Sequence, residues 1–487
     1  MKKIRNIMLT AAVALAFSAC DDVDLDKGIP SVTPQQPIMP ADGITAVDMV
    51  ANDGVVNLET ADNGFVDMIN VTRLENFPAD QNLKIVMNVS ATQDMASVRN
   101  IDLNVIPGTE AGSIKVGRVD VNMLDEAVKS LVSRDPTAQA KLYVNYVAYA
   151  VQGTSTVLLG SVGTPQSILV KPLSYEHPVE TTYYIYGTAT DGSIANAIQL
   201  AHEGNQYDNP VFKVKIDITS AQINADGGWK FKVIPESTKQ AGQTWEQNHN
   251  LTFIGAGEDE GTLAYATATE DCQWIVISKP GQYMLNVNVL DQTWELSNAI
   301  EYMYVPGDGN GWSWATQLYT NNYINYLGFA NLKGSFKFTG TAGWNSDLGN
   351  YGAGADNNKL QNGSNTNFTV EGTPGLYWLD VNLAALEYKK TYIEKVGVVG
   401  SHNGWNAGGA TALTPSEDNL IWEGLVTFSD TDEFKFCMNG GWDINLGGVE
   451  DNLEFNNSKN LTSPGAGTYL VVLDLSALPY QAYFEEQ

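Results

Sequence analysis

Hydrophobic and polar residues alternate in short runs along residues 44–171, for example at 83–89 and 142–147. Neighbouring side chains of a strand point to opposite faces, so each run predicts a strand with one buried face. The spacing of the runs is typical of an immunoglobulin-like β-sandwich. One helix is predicted among them, because four apolar residues recur at helical spacing: Leu124, Ala127, Val128 and Leu131.

A motif is repeated in the last third of the chain. Residues 305–312 (VPGDGNGW) match residues 398–405 (VVGSHNGW). Residues 335–344 and 433–442 each combine a Phe-Lys-Phe strand with a later Gly-Trp pair. Each copy then closes with an alternating strand after a glycine. The repeat predicts two tandem β modules.

A third, weaker copy precedes these two. Residues 184–188, 229–232 and 281–287 resemble the opening, central and closing strands of the motif. No Trp follows the opening turn of this copy, where Ser193 stands instead. We expect the fold to persist there with a degenerate binding site.

The predicted fold class is all-β, with tandem immunoglobulin-like β-sandwich domains in an elongated multidomain chain. The predicted segments are a signal peptide (1–19), a lipid-anchored tether (20–40), an N-terminal immunoglobulin-like domain (41–177), module a (178–297), module b (298–393) and module c (394–487).

Tryptophan divides the chain, because all eleven Trp lie at or after Trp229. Trp312, Trp344, Trp405 and Trp442 follow Gly-rich turns, and such loops lie on the surface. A flat exposed indole complements the C–H face of a pyranose, and stacking releases water from both surfaces. We therefore predict that modules b and c each bind a sugar chain through two rings; packing at the ends of the sandwich is the alternative. The remaining apolar runs predict packing roles for Trp274, Trp294, Trp378 and Trp422.

Polar candidates accompany the rings. Lys337 and Lys435 stand between core phenylalanines, which places them on the outer face of a strand, where an ammonium group can donate to a sugar hydroxyl. A solvated lysine without a partner is the alternative. Asp347 and Asn445 follow the second Trp of each copy by three residues. The candidates for a weaker site in module a are Lys232 and Trp245.

The first twenty residues are interpreted as a targeting signal rather than as part of the folded protein. A basic head precedes the apolar stretch 8–17, and small residues lead to Cys20, which resembles a bacterial lipoprotein box. The resemblance implies cleavage before Cys20 and acylation of its thiol; an ordinary signal peptide that ends in Cys is the alternative. The acidic run 21–24 resembles the signal for export to the cell surface in the Bacteroides group. We expect outer-membrane attachment through this lipid alone.

Charge and composition exclude several functions. The 487 residues include 27 Lys+Arg and 56 Asp+Glu, for a net charge of -29, which repels nucleic acid and anionic lipid. The four His have no metal-ligand spacing. The sequence also contains no Gly-x-Ser-x-Gly nucleophile elbow, no His-Glu-x-x-His zinc-binding motif and no Walker A loop. We therefore predict no enzyme activity, no metal and no cofactor. Cys272 and Cys437 are predicted to be buried free thiols.

Together these features resemble the SusE/SusF family, the outer-membrane starch-binding lipoproteins of Bacteroides starch-utilisation systems, with a layout closer to SusF. The resemblance covers the whole chain, although its specific motifs lie in residues 298–487. It implies non-catalytic retention of starch or maltooligosaccharides, an α-glucan ligand, beside an outer-membrane transporter and a surface amylase. The residues themselves support only a neutral glycan. Another neutral polysaccharide, a surface glycoside hydrolase and a protein-binding adhesin remain alternatives.

Overall fold

The computed structural model describes residues 41–46, 55–109, 112–266 and 272–487. The chain forms two compact units, Met1–Ser174 and Tyr175–Gln487. Strands dominate both units, so the all-β prediction is confirmed. The leader and Cys20 lie outside the described residues.

The first unit contains one eight-stranded sheet. Its strands are β1 (Ile44–Ala46), β2 (Val55–Asn57), β3 (Phe65–Val71), β4 (Asn82–Ser90), β5 (Arg99–Pro107), β6 (Lys115–Asp120), β7 (Ala140–Gln152) and β8 (Ser155–Lys171). Their order is β1-β3-β6-β5-β4-β7-β8-β2, with β2 parallel to β8 and the other neighbours antiparallel. The two alternating runs singled out in the sequence lie in β4 and β7, as predicted.

The predicted helix is confirmed as α1 (Val121–Leu131). Its predicted apolar face is buried, and Leu124, Ala127 and Val128 belong to the core of the first unit. The Asp120 side chain caps the helix by accepting from two backbone N–H groups of the first turn. This helix covers core residues of the sheet and therefore has a structural role.

Module a contains two sheets. Its strands are β9 (Tyr183–Gly187), β10 (Ile198–Gln199), β11 (Val211–Ile218), β12 (Trp229–Pro235), β13 (Ile254–Ala256), β14 (Leu263–Tyr265), β15 (Ile275–Ile277), β16 (Gly281–Asn288) and β17 (Thr293–Asn298). One sheet has the order β10-β9-β12-β13-β14, with β15 also on β12, and the other has the order β11-β16-β17. Two short helices, α2 (Ser220–Asp226) and α3 (Glu236–Ala241), flank β12.

Modules b and c share one topology. The strands of module b are β18 (Tyr302–Tyr304), β19 (Gln317–Tyr319), β20 (Asn325–Leu332), β21 (Ser335–Phe336), β22 (Phe338–Thr339), β23 (Asn350–Ala353), β24 (Leu360–Asn362), β25 (Phe368–Thr369), β26 (Gly375–Asn382) and β27 (Glu387–Tyr392). Those of module c are β28 (Val396–Gly400), β29 (Thr411–Pro415), β30 (Ile421–Phe428), β31 (Glu433–Met438), β32 (Asn445–Val449), β33 (Asn452–Phe455), β34 (Leu461–Thr462), β35 (Gly467–Asp474) and β36 (Gln481–Glu486). The sheet orders β24-β23-β22-β18-β19-β20-β26-β27 and β33-β32-β31-β28-β29-β30-β35-β36 correspond strand by strand.

Strand register gives the correspondence between all three modules. A glycine at the end of the opening strand, or three residues after it in module b, lies opposite a phenylalanine, and the pairs are Gly187 with Phe231, Gly307 with Phe336, and Gly400 with Phe434. The next residue of each central strand is a lysine: Lys232, Lys337 and Lys435. The three lysines are therefore structural equivalents, as the repeat predicted.

Adjacent modules of the second unit are in direct contact. Between modules a and b, the Gln282 side chain donates to the Gly340 and Leu348 carbonyls, at 2.9 Å in each case. Between modules b and c, the Phe329 N–H donates to the Tyr480 hydroxyl at 2.8 Å, and both residues are buried. Because buried hydrogen bonds are lost when such a junction opens, these contacts fix neighbouring modules relative to one another.

Candidate functional site

Two tryptophans hold an unusual backbone conformation. Trp312 and Trp405 lie in the left-handed region, with φ of 62° and 60°. In both modules the Trp N–H donates to the carbonyl of the turn glycine, Gly307 or Gly400, at 2.8 Å. A bulky residue in this region costs on the order of 1–3 kcal/mol and persists where the surrounding structure requires it. The same cost at the same place in two modules indicates that the direction of this ring matters.

The Asn-Gly-Trp motif has a structural explanation. Asn310 and Asn403 each accept, through Oδ1, from the N–H of the turn glycine at 3.0 Å. This bond closes the turn that ends at the Trp. The sequence motif therefore encodes a rigid turn that presents an indole.

Module b adds a second support for its first ring. The Trp312 Nε1–H donates to Asp308 Oδ1 at 2.8 Å, and the Ser335 N–H donates to Asp308 Oδ2 at 2.6 Å. The hydrogen bond from Ser335, followed by that from Trp312, holds the pKa of the Asp308 carboxyl below its usual range. The carboxylate is thus ionised at neutral pH and orients the indole.

The predicted ring pairs do come together. The ring centroids of Trp312 and Trp344 are 6.0 Å apart with an interplanar angle of 53°, and those of Trp405 and Trp442 are 6.1 Å apart at 36°. Trp344 is 48% exposed and Trp442 is 41% exposed, while their partners are half-buried. Each pair therefore offers an apolar surface to solvent, and the packing alternative does not hold for Trp344 or Trp442.

In module c, packing on the outer face of the sheet brings the two rings together. In module c, the segment after the Trp405 turn folds over the sheet, so that Ala407 packs on Val399 and Cys437. The Cys437 thiol lies 3.9 Å from the Ala407 carbonyl. The loop that carries Trp442 begins directly after this strand, which brings the second ring beside the first.

Trp314 is a third ring that the sequence analysis did not identify. Its centroid lies 5.5 Å from that of Trp344, at an angle of 58°. It stands two residues after Trp312, and the residues at the same place in the other modules are Ile194 and Ala407, which are both buried. The position two residues after the turn that ends at Trp312 could have been identified from the sequence, because the same position in module c lies on the outer face of the sheet. In module b this position holds an indole that contacts Trp344.

The lysines lie on the outer face but are covered. Lys337 is 7% exposed and its ammonium group donates to the Ser364 carbonyl, while Lys435 is half-buried and donates to the Asn457 carbonyl. Desolvation lowers the pKa of both lysines. The alternative of a solvated lysine without a partner therefore does not hold, because one chain segment crosses the strand in both modules and accepts a hydrogen bond from the ammonium group. Contact of either lysine with a glycan stays a prediction.

Asp347 and Asn445 are not equivalent, although both follow a Trp by three residues. The strand pairing places Asn350 opposite Thr339 and Asn445 opposite Cys437, so Asn350 is the counterpart of Asn445. Asn445 is 7% exposed, and its amide donates to the Trp442 carbonyl at 2.8 Å. Asn445 therefore stabilises the Trp442 loop through this buried hydrogen bond and does not face solvent. The carboxylate of Asp347 accepts from Ser220 of module a.

In the described residues of module a, no pair of Trp rings lies at the equivalent turn. In the turn that follows β9, the Gly192 N–H donates to the Gly187 carbonyl at 3.0 Å, as the Trp N–H does in modules b and c. Gly192 therefore occupies the position of Trp312 and Trp405. The sequence alignment that placed Ser193 there was off by one residue. Trp245 is 4% exposed and stacks on His249, with centroids 4.5 Å apart. It therefore packs inward and offers no platform.

Lys232 is buried as well. It is 1% exposed, and its ammonium group lies 4.4 Å from the centre of the Trp274 ring and 3.8 Å from Glu246 Oε1. Trp274 also contacts Tyr186, which agrees with its predicted packing role. An open groove of about 510 Å³ lies beside these residues, lined by Gly187, Thr188, Asp191, Gly192, Lys230 and Trp274.

Other sequence expectations concern chemistry. Cys272 and Cys437 are buried free thiols, as predicted, and burial raises the pKa of each to about 11. Among the described residues, no group of His, Cys, Asp and Glu is arranged to hold a metal ion. None of the helices in the described ranges is long and apolar enough to cross a bilayer.

Comparison with known proteins identifies relatives. Residues 178–298 match a family model described as SusF, first starch specific CBM, which confirms the resemblance to the SusF family. The chain is also similar to the crystal structure of SusF from Bacteroides thetaiotaomicron, with 15% identity and a TM-score of 0.38 over 91% of this chain and 99% of that one. A DUF4784 family protein from Bacteroides caccae ATCC 43185 shows 11% identity and a TM-score of 0.13 over 91% of this chain and 95% of that one. No curated protein matches.

Proposed function

We propose that this SusF-like chain retains starch-type α-glucan at the cell surface without chemical conversion, through the Trp pairs of modules b and c. The observation that carries the proposal is the tilted indole pair that modules b and c each hold at equivalent turns, Trp312 with Trp344 and Trp405 with Trp442, with the second ring of each pair exposed. The match of residues 178–298 to a starch-specific module supports the ligand class.

The geometry favours a curved, neutral ligand. The two rings of each pair are inclined by 53° and 36°, so their faces do not lie in one plane. A helical α-glucan presents successive sugar faces at an angle, whereas a flat ribbon would contact only one ring at a time. The net charge of -29 does not oppose binding, because the ligand is uncharged.

The remaining parts of the proposal rest on the resemblance and on the leader sequence. Acylation at Cys20 would attach the protein to the outer membrane, with residues 21–40 as a tether. A transporter and a surface amylase of the same system would be its partners. In this arrangement the protein concentrates polymer beside the import machinery, and no catalytic group is required.

Affinity electrophoresis tests the proposal. We expect retardation in gels that contain amylopectin or pullulan and little retardation in gels that contain a soluble cellulose derivative. Retardation in the cellulose gel alone would redirect the proposal to another polysaccharide. Unchanged migration in every gel would favour the adhesin alternative. Release of reducing sugar from amylopectin by purified protein would favour a glycoside hydrolase.

A further inference from the structure

The loop that carries Trp344 is held from outside its own module. This loop, residues 340–349, is closed by a hydrogen bond from the Gly340 N–H to the Gly349 carbonyl at 2.8 Å. The Gln282 side chain of module a donates to the carbonyls of Gly340 and Leu348, at 2.9 Å in each case. Gln282 is 6% exposed. One buried amide of module a therefore connects the two ends of the loop.

A second contact reaches the middle of the loop. Both carboxylate oxygens of Asp347 accept from Ser220, one from its N–H and one from its hydroxyl, each at 2.7 Å. The Asp347 N–H in turn donates to the Asn345 side chain at 2.9 Å. Asn345 directly follows Trp344, so the contact with module a continues to the residue next to the exposed ring. Hydrogen bonds to an ionised acceptor are stronger than neutral ones.

Module c holds its equivalent loop differently. There the Asn439 side chain accepts from the N–H groups of Glu394 and Lys395 and donates to the Tyr392 carbonyl. Tyr392 ends β27 of module b, and Glu394 and Lys395 belong to the connection into module c. The chain from Thr339 to Asn350 is also three residues longer than the chain from Cys437 to Asn445, and the extra turn carries Asp347. Within the described residues, side chains of module a therefore hold the loop of module b, whereas backbone groups of residues 392–395 hold the loop of module c.

We propose that module a is a positioning element for the glycan platform of module b, and that Gln282 and Ser220 are its positioning residues. The inference rests on the proposed function of Trp344. Trp344 is about half exposed and stands on an irregular loop, so its direction depends on contacts made by the loop backbone. Module a supplies those contacts, whether or not it binds glycan itself. Loss of the contacts widens the range of ring orientations and weakens binding at module b alone.

The test uses two full-length backgrounds. In the first, Trp405→Ala with Trp442→Ala leaves only the platform of module b; in the second, Trp312→Ala with Trp344→Ala leaves only that of module c. Gln282→Met, which keeps the length of the side chain but removes its donors, and Ser220→Ala are added to each. In the first background we expect the affinity for maltoheptaose to fall roughly three- to tenfold by calorimetry, because two or more hydrogen bonds to the loop are lost. In the second background the same changes should leave affinity unchanged.

Ser220→Thr, which keeps the hydroxyl, should recover the part of the loss that Ser220→Ala causes and so separates positioning from general damage to the fold. Equal affinity with and without Gln282→Met in the first background would overturn the inference. So would an equal loss in both backgrounds. If neither background binds maltoheptaose, the proposed function fails, and hydrogen exchange of residues 340–349 decides the inference instead. Faster exchange there in the Gln282→Met protein supports positioning, and unchanged exchange refutes it.

Discussion

Removal of the exposed rings is the most direct perturbation of the proposed site. Trp344 is 48% exposed, and an indole side chain offers about 250 Å² at most, so about 120 Å² of Trp344 is open to solvent. A sugar that covers one face buries about half of this, or about 60 Å². At about 25 cal/mol per Å², the ring contributes about 1.5 kcal/mol, or about a tenfold change in affinity. Trp442, which is 41% exposed, gives a slightly smaller value.

Trp344→Ala and Trp442→Ala should each weaken binding of maltoheptaose at their own module about tenfold. On a polymer that contacts both modules the two losses multiply, so the double variant should show about a hundredfold weaker retention of amylopectin. Affinity electrophoresis over a range of amylopectin concentrations measures this. Thermal unfolding should change little, because exposed side chains contribute within about 0.5 kcal/mol.

A buried Trp provides the matched control. Trp422 is 3% exposed in the core of module c, so Trp422→Phe should lower the melting temperature and leave the migration in amylopectin gels unchanged. Full retardation of the Trp344→Ala, Trp442→Ala double variant would refute the assignment of the platforms. A double variant that loses both binding and thermal stability would also contradict it, because the rings would then be structural.

Three further outcomes are expected. The pKa of Asp308 is lowered in the folded protein, so its contribution to stability is complete above the unfolded pKa of about 3.9 and is lost only as pH falls through the folded pKa. Asp308 therefore stays ionised from pH 5 to 8, and the affinity of module b for maltoheptaose should be constant over that range. Asp308→Ala should weaken this affinity, because the indole of Trp312 loses its acceptor. Gly352→Ala and Gly447→Ala would place Cβ at 2.1 Å from the Thr366 carbonyl and 2.4 Å from the Lys459 carbonyl, so each should cost about 1–3 kcal/mol or more in urea unfolding, whereas Gly408→Ala meets nothing closer than 3.5 Å and should be near neutral. Cys272 and Cys437 should react with an aromatic disulfide reagent at pH 8 far more slowly in the folded protein than in urea, and equal rates would contradict their burial.

The periodic parts of the fold could be predicted from sequence. Helix α1 and the closing strands β26 and β35 lie where the apolar periods place them, because burial of one face is a local property of the pattern. The ring pairs were also predictable, since the two copies of the motif repeat both Trp at corresponding turns. The backbone conformation of Trp312 and Trp405 was not, because a left-handed Trp is disfavoured locally and is imposed by the turn around it.

The polar candidates show where counting along the chain fails. Asp347 and Asn445 stand at the same distance from a Trp, yet an insertion of three residues separates their structural positions. Lys337 and Lys435 were placed on the correct face of the strand, but a segment from elsewhere in each module covers them. Both the offset between Asp347 and Asn445 and the covering of the lysines concern contacts between residues that are distant in sequence, about which a local pattern carries no information.

The junction between modules b and c determines how two modest platforms can act together. A flexible linker would let the second platform sample a large volume and would dilute its effective concentration. Here the Phe329 N–H donates to the buried Tyr480 hydroxyl, and the rings of Phe329, Phe455 and Tyr480 pack against one another across the junction. Opening this junction would expose aromatic surface and an unpaired N–H, so the two platforms keep a fixed separation. A glycan long enough to span that separation binds the second platform without further ordering of the protein, whereas a shorter oligomer gains nothing from it. If the Trp pairs bind glycan as proposed, we therefore expect selective retention of long chains, because the junction is rigid and each Trp pair binds only modestly.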